Sequence, residues 1–453
     1  MTTARAGRLD DVKLAAAIVY ALAVMVSSGP LLTIPLGVPG LGWKRVVPAD
    51  LAFVLMLGVW AAAVAADGWR RTFPRRVWRE PGLVLLAVAL SALASGAPAR
   101  GVPDLLRFAY SLTAFVVIAQ LPLDTTRLRR FATAYTAGAV AVCVVSVGAW
   151  ALAHAGVVTP LAGVDPAPGF QGPAAVRTMG PFGHPTTLAV FLCTALSLAA
   201  VRGGAAPGRW TSPLVAGAIA LFAVTGLLTA SRAVAALVVA AFAWALAADD
   251  GTRRRRVRTV VLGQLALVGA LFTAITLTWN IVPVTITTDP ATKFTSVQVY
   301  AAPDLRRLLY GGALRMVAEH PLLGVGPGLY ADHIKRLLVP AEVGEASRYL
   351  ASQADGGVEA FWGGTPDPHS SWFGWLARTG LIGFGAMAWL FAFHLRRFWR
   401  GRRAAGARGV VSRWALAGVV GVLFAGLAVE VMHLRFLWVL LGVAVAATDD
   451  ARS

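Results

Sequence analysis

Pro368-His369-Ser370-Ser371-Trp372-Phe373-Gly374-Trp375-Leu376-Ala377-Arg378-Thr379-Gly380-Leu381-Ile382-Gly383 is the point where a loop enters an apolar run that continues to about residue 394. A run of that length matches the hydrocarbon thickness of a bilayer. It begins beside an imidazole, which hydrocarbon cannot solvate. Working outward, comparable windows fall near 12–30, 49–67, 81–97, 103–121, 131–154, 184–201, 212–230, 232–248 and 259–283, then at 371–394, 412–429 and 431–447. The expected fold is therefore all-α: a polytopic membrane protein of about twelve transmembrane helices.

Composition agrees. The chain has 453 residues, of which 57% are hydrophobic and 14% charged, with a mean hydropathy of +0.67. Soluble domains carry roughly 25% charged residues, so a water-facing surface of this size is excluded. The first apolar run follows Arg5, Arg8 and Lys13. It reads as a retained first helix, because no small-x-small cleavage site follows it.

The net charge of +19 does not point to nucleic acid. With both termini inside, the internal loops 69–80, 124–130, 201–210, 249–258 and 396–413, together with the termini, hold most of the 41 Lys and Arg residues. Arg253-Arg254-Arg255-Arg256 is among them. Every short loop then obeys the positive-inside rule, and the basic residues orient the protein and meet headgroups. Cys143 and Cys193 lie in apolar runs and suggest neither a disulfide framework nor a metal cluster.

The organisation expected is nine helices over 1–283, a large outer loop over 284–370 and three helices over 371–453. Within the loop, residues 304–320 read as an amphipathic helix through Leu305, Leu308, Leu309, Met316 and Val317, with Asp304 as N-cap and Pro321 and Gly324 as stops. A second short helix is expected at about 329–338. These helices would form a cap on the membrane face. A second long outer loop runs from about 155 to 183.

The residues able to carry chemistry lie on this outer side. His369 is a candidate general base, since imidazole titrates near neutrality; the competing reading is an interfacial histidine beside Trp372 and Trp375. Arg177, Arg232, Arg306, Arg307 and Arg315 lie in the outer loops or at outer helix ends. Guanidinium forks suit phosphate, although snorkelling to headgroups is the plainer alternative. Arg232, in Ala230-Ser231-Arg232-Ala233, has almost no loop to occupy. Arg307 and Arg315 are separated by about 80° around a helix. The remaining histidines, His154, His184, His320, His333, His394 and His433, read as boundary or loop-anchoring residues, with His394 at the interface. Gly324-Val325-Gly326-Pro327-Gly328 lacks the flanking strand of a dinucleotide loop and reads as a place where the backbone approaches another element closely. There is no Walker lysine motif and no His-Glu-x-x-His, so neither a nucleotide cofactor nor a metal is expected.

His320-Pro321-Leu322-Leu323-Gly324-Val325-Gly326-Pro327-Gly328-Leu329-Tyr330 and His369–Gly383 together resemble the paired signature of the O-antigen ligase and polymerase superfamily. Arg177–Leu192 and Ser231-Arg232 also fit, so the resemblance covers roughly residues 170–390. Thr186 and Ser370 stand where that family often has asparagine. The resemblance implies a metal-independent glycosyltransferase of the cytoplasmic membrane, working on its outer side within cell-envelope polysaccharide or lipopolysaccharide biosynthesis. The donor would be a glycan on undecaprenyl diphosphate, and the acceptor a lipid or glycan hydroxyl such as lipid A-core. His369 would be catalytic, with Arg177, Arg232 and Arg306 or Arg307 on the diphosphate. A polymerase would use a second lipid-linked repeat as acceptor. A twelve-helix transporter or flippase is the rival from another class. It predicts glycine-broken helices near mid-membrane, and none is apparent from the sequence.

Overall fold

The structure is a computed structural model that describes residues 2–26, 46–157, 164–165, 176–204, 213–247, 259–260, 262–267, 269–271, 279–288, 295–303, 305–338 and 367–448. The fold is all-α. Its helices are α1 (Thr2–Val26), α2 (Pro48–Asp67), α3 (Arg79–Ala94), α4 (Pro98–Ala119), α5 (Thr125–His154), α6 (Pro185–Gly204), α7 (Pro213–Leu228) and α8 (Ala235–Ala247). A short apolar helix α9 (Leu262–Leu271) follows. Then come α10 (Leu305–Glu319), α11 (Tyr330–Leu337), α12 (Ser371–Gly401), α13 (Gly406–Ala425) and α14 (Arg435–Thr448). Among the described residues, α2, α4, α5, α6 (over Pro185–Arg202), α12 and α13 are long and apolar enough to cross a membrane, and α7, α8, α9 and α14 are shorter apolar helices. The expected count of twelve crossings is therefore not confirmed by the length and composition of the described helices. The ninth window, 259–283, is the clearest difference, because a strand has begun by Trp279.

Two antiparallel pairs interrupt the helices. Val164–Asp165 (β1) pairs with Arg177–Thr178 (β2), with Asp165 opposite Arg177. Trp279–Thr288 (β3) pairs with Thr295–Pro303 (β4), and the register shifts between Pro283 and Thr285. Proline has no N–H for the ladder, which accounts for an irregularity at that point. The hairpin has no counterpart in the sequence reading.

The interior is apolar, as in a soluble protein, and large apolar side chains cover the outside as well. Leu93, Leu214, Leu227 and Val54 face outward, with Leu214 72% exposed, as lipid permits. Helix α14 is buried on almost every side from Phe436 to Ala446 and packs against α4 and α13, and α13 in turn meets α6 and α8. Small residues allow the close approaches. A Cβ on Gly418 would meet Ser197 Oγ at 2.2 Å, and one on Gly421 would meet the Ala236 carbonyl at 2.8 Å. Close small-residue contacts are how helices pack when lipid supplies no hydrophobic drive.

At one end of the bundle, buried Arg75 closes two helix C-termini. Its Nη1 donates to the carbonyls of Ala119 (2.8 Å) and Leu121 (3.1 Å), and its Nη2 donates to Ala446 (3.3 Å). The last carbonyls of a helix have no partner within it, and a cation there also opposes the dipole. His394 corrects an expectation. It is not interfacial but fully buried, with Phe115, Phe393 and Phe398 around its ring.

Candidate functional site

The two marked segments of the sequence interlock. Helix α12 is broken at Gly380, where φ is 61° and ψ −165°, a conformation essentially confined to glycine. The break frees backbone groups that an unbroken helix would pair with each other. The loop 321–326 takes them up. Val325 N–H donates to Ala377 O (2.9 Å) and Gly326 N–H to Arg378 O (3.0 Å), while Leu381 N–H donates to Pro321 O (2.8 Å) and Ile382 N–H to Leu322 O (3.1 Å). The Ser91 hydroxyl sits between the two strands of this joint, 2.6 Å from Leu323 O and 2.8 Å from Arg378 O. Pairing the backbone groups freed at such a break is what allows a broken helix in a membrane protein.

Glycine is required at both faces of the joint. A Cβ on Gly324 would lie 2.5 Å from Ala377 O, and one on Gly380 would lie 2.4 Å from the Leu322 carbonyl. Helix α4 holds the loop from the other side. Gly328 N–H donates to Asp104 Oδ2 (3.1 Å), and Arg100 pairs with Asp332 on α11. The sequence reading placed a close backbone approach at these glycines; it did not identify α12 as the element approached, nor find the break.

The start of α12 is held as firmly. Ser370 is its N-cap, accepting from Phe373 N–H at 3.5 Å, and its hydroxyl donates to Gly426 O at 3.1 Å. Serine and asparagine are comparable N-caps, so the departure from asparagine keeps the local function. Ser371 N–H donates to the same Gly426 carbonyl (2.8 Å). The Ser371 hydroxyl accepts from Val431 N–H (2.6 Å) and lies 3.0 Å from Val429 O and 3.1 Å from Glu430 Oε1. The link 426–434 between α13 and α14 is thus the seat of the His369 segment. It also receives α10, because Tyr310 donates to Leu427 O at 2.9 Å and stacks on Phe373 at 4.6 Å.

His369 is exposed, with φ +49°. Its N–H donates to Asp367 Oδ1 at 2.8 Å, a side-chain turn that aspartate forms readily. Among the described residues, Ala230 (φ +43°) is the other non-glycine with positive φ. It immediately precedes Ser231-Arg232. Strained backbone of this kind costs about 1–3 kcal/mol and collects at functional sites.

The arginines sit as follows. Arg177 lies on β2 with its Nε buried, and Arg306 Nε on α10 is buried too. Arg307 and Arg315 are exposed, and Arg315 donates to Leu337 O at 3.0 Å, closing α10 on α11. Arg232 opens a 3₁₀ turn; its side chain lies outside the described part, as do Arg253–Arg256 and Asp304. The Arg177 and Arg232 segments are brought together at α6, where the Ser231 hydroxyl donates to Thr186 Oγ1 at 3.0 Å. Thr186 therefore supplies a polar contact between these two segments. Phe182, from the same segment as Arg177, meets Phe436 at 6.0 Å, next to the 426–434 link.

Sequence reasoning passed over a polar cluster beside His369. Arg378 lies 3.9 Å from Asp367 Oδ2 and 3.7 Å from Glu430 Oε2. Asp104 pairs with Arg107 at 3.2 Å, and His433 meets the Phe108 ring at a tilt, 4.6 Å between centroids. Burial holds His433 below the ordinary histidine range, with Glu430 pulling the other way. Burial also raises the Tyr330 phenol, against the pull of Arg378. The missed signal was a lone carboxylate, Glu430, within Ala428-Val429-Glu430-Val431-Met432. His320 and His333 face each other across the cap at 5.9 Å. Among the described residues, no group of three or more His, Cys, Asp or Glu is placed to hold a metal ion.

A family model described as O-antigen ligase matches residues 217–388. The match runs from α7 to past the break in α12 and includes Ser231-Arg232, the interlocking loop and His369. Arg177 and Glu430 lie outside it. No curated protein matches the chain.

Proposed function

We propose that this chain, whose residues 217–388 match a family model described as O-antigen ligase, is a ligase that moves a glycan from undecaprenyl diphosphate to an acceptor hydroxyl on the outer side of the cytoplasmic membrane. His369 takes the proton from the acceptor hydroxyl as its oxygen attacks the anomeric carbon. The bond from that carbon to the diphosphate oxygen breaks, and the leaving diphosphate gains charge. Arg177, Arg232, Arg306 and Arg307 stabilise that charge as preorganised cations, so neither divalent metal nor nucleotide is needed. Arg315 closes α10 on α11 through Leu337 O and is a further candidate cation for the diphosphate.

One observation carries the reading. His369 is held in a left-handed conformation, on the surface, at the junction of the most specific motif. A non-glycine residue held in such a conformation costs about 1–3 kcal/mol, and strain of this kind collects at functional sites. The break in α12, which a transporter would leave open to a ligand, is instead filled by the loop 321–326, and this favours an enzyme with a fixed cap.

The test is His369→Ala in purified protein supplied with a lipid-linked donor. Transfer should fall at least about 10²-fold while folded yield and melting temperature hold. An activity loss that only follows the loss of folded protein would leave His369 a structural residue. The acceptor is settled by what a deletion strain accumulates: long lipid-linked chains for a ligase, single repeats for a polymerase, the alternative within the superfamily.

A further inference from the structure

Arg378 has no part in the reaction as described, yet its side chain is only 11% exposed and it lies between two carboxylates. It folds back over the first turns of α12. A Cβ on Gly374 would meet Arg378 Nη2 at 3.6 Å and Pro368 Cγ at 2.5 Å, so this glycine lets both groups close onto the helix. Asp367 is then engaged at both oxygens: Oδ2 faces Arg378 Nη2 at 3.9 Å, and Oδ1 accepts His369 N–H at 2.8 Å. That second bond closes the turn in which His369 has φ +49°. A non-glycine residue relaxes from such a conformation unless its surroundings over-determine it. On its other side Arg378 faces Glu430, whose Oε1 accepts from Met432 N–H at 3.0 Å and which therefore belongs rigidly to the 426–434 link. The same link anchors α10 through Tyr310 and Leu427, and α10 carries Arg306 and Arg307.

We infer that Arg378 is a positioning residue for the proposed transfer: through Asp367 it keeps His369 in its left-handed turn, and through Glu430 it fixes that turn relative to the helix bearing Arg306 and Arg307. The inference rests on the reading of His369 as the base. The plainer account is that Arg378 neutralises a buried glutamate and matters only for folding. The two accounts differ in what happens to the protein that does fold.

The experiment uses full-length protein in lipid nanodiscs, a lipid-linked glycan donor, and rates normalised to folded protein. The variants are R378Q, D367A, D367N, the double variant R378Q/D367A, and H369A. R378Q and D367A should each lower kcat about 10- to 100-fold, the scale of a misplaced catalytic group, with KM for the donor within about twofold. D367N keeps an oxygen that accepts the His369 N–H but loses the charge facing Arg378, so it should be faster than D367A and fall to about the level of R378Q. The double variant should lose less than the product of the two single losses, because both changes act on the His369 turn and only the Glu430 contact is removed by R378Q alone. Wild-type kcat in R378Q alongside an inactive H369A overturns the inference, as does a double variant whose losses multiply. If R378Q fails to fold, wild-type kcat in D367A overturns it equally. Wild-type activity in H369A would instead remove the catalytic reading itself, so the two failures are distinguishable.

Discussion

Gly380→Ala should unlock the joint between α12 and the loop 321–326. The added Cβ would lie 2.4 Å from Leu322 C and O and 2.6 Å from Gly324 N, all backbone atoms that cannot rotate away. The φ of 61° and ψ of −165° add strain of about 1–3 kcal/mol for a non-glycine residue. Relief requires the loop to withdraw, which breaks the bonds from Leu381 to Pro321 and from Ile382 to Leu322 at about 1 kcal/mol each. The expected destabilisation is therefore about 3–5 kcal/mol. Gly385→Ala, one turn further along the same helix and with nothing within 4 Å of its Cβ, is the control. It should be neutral, or stabilising by up to about 1 kcal/mol. Detergent-solubilised melting compares the two variants, and hydrogen exchange reads the Val325 and Gly326 amides, which donate across the joint. Those amides should exchange much faster in Gly380→Ala and unchanged in Gly385→Ala. Equal melting temperatures with equal protection in both variants would refute the argument that the break depends on glycine.

Arg232→Lys should be nearly as damaging to transfer as Arg232→Ala, because lysine keeps the charge and loses the bidentate fork; full activity in the lysine variant would leave snorkelling to headgroups as its role. Transfer by purified protein should proceed in excess EDTA without nucleotide, and strict dependence on Mg²⁺ or Mn²⁺ would overturn the arginine-only account of diphosphate binding. Burial lowers the pKa of His433, so the unfolded chain binds its proton more readily than the native one. The stability this gives is complete above the unfolded value of about 6.5 and is lost as pH falls below it. Melting temperature should therefore drop on acidification, less steeply in His433→Gln, and identical pH profiles would place the sensitive group elsewhere.

The helices were legible because hydrocarbon enforces long apolar runs, and each of the expected windows holds at least part of a helix. Residues 305–319 and 330–337 were equally readable, since amphipathic spacing and the stop at Pro321 depend on local chemistry. The hairpin Trp279–Pro303 was not, because an apolar run rich in Thr and Val suits a buried helix as well as a strand. The break at Gly380 escaped for a related reason. Glycine is common inside membrane helices, and only the carbonyl of Leu322 lying against it shows that this one is obligatory. At the site, His369 and the glycines of 324–328 stood out by residue type. Arg378, Asp367 and Glu430 did not, because their relation is made by side chains meeting across α12 and the 426–434 link, far apart in the chain.

The interlock also has a consequence for biogenesis. Residues 321–326 are synthesised before α12, so their donors and acceptors are already in place when Gly380 leaves the ribosome. A helix with a broken ladder would otherwise enter lipid carrying unpaired amides and carbonyls, each costing several kcal/mol. Helix α12 therefore cannot settle in the bilayer as an independent segment in its final form. It either inserts as a continuous helix and opens only on meeting the waiting loop, or it docks as it enters. Either route makes capture of the loop a late assembly step, so a nascent chain that stops short of residue 382 lacks the partners that hold the cap in place.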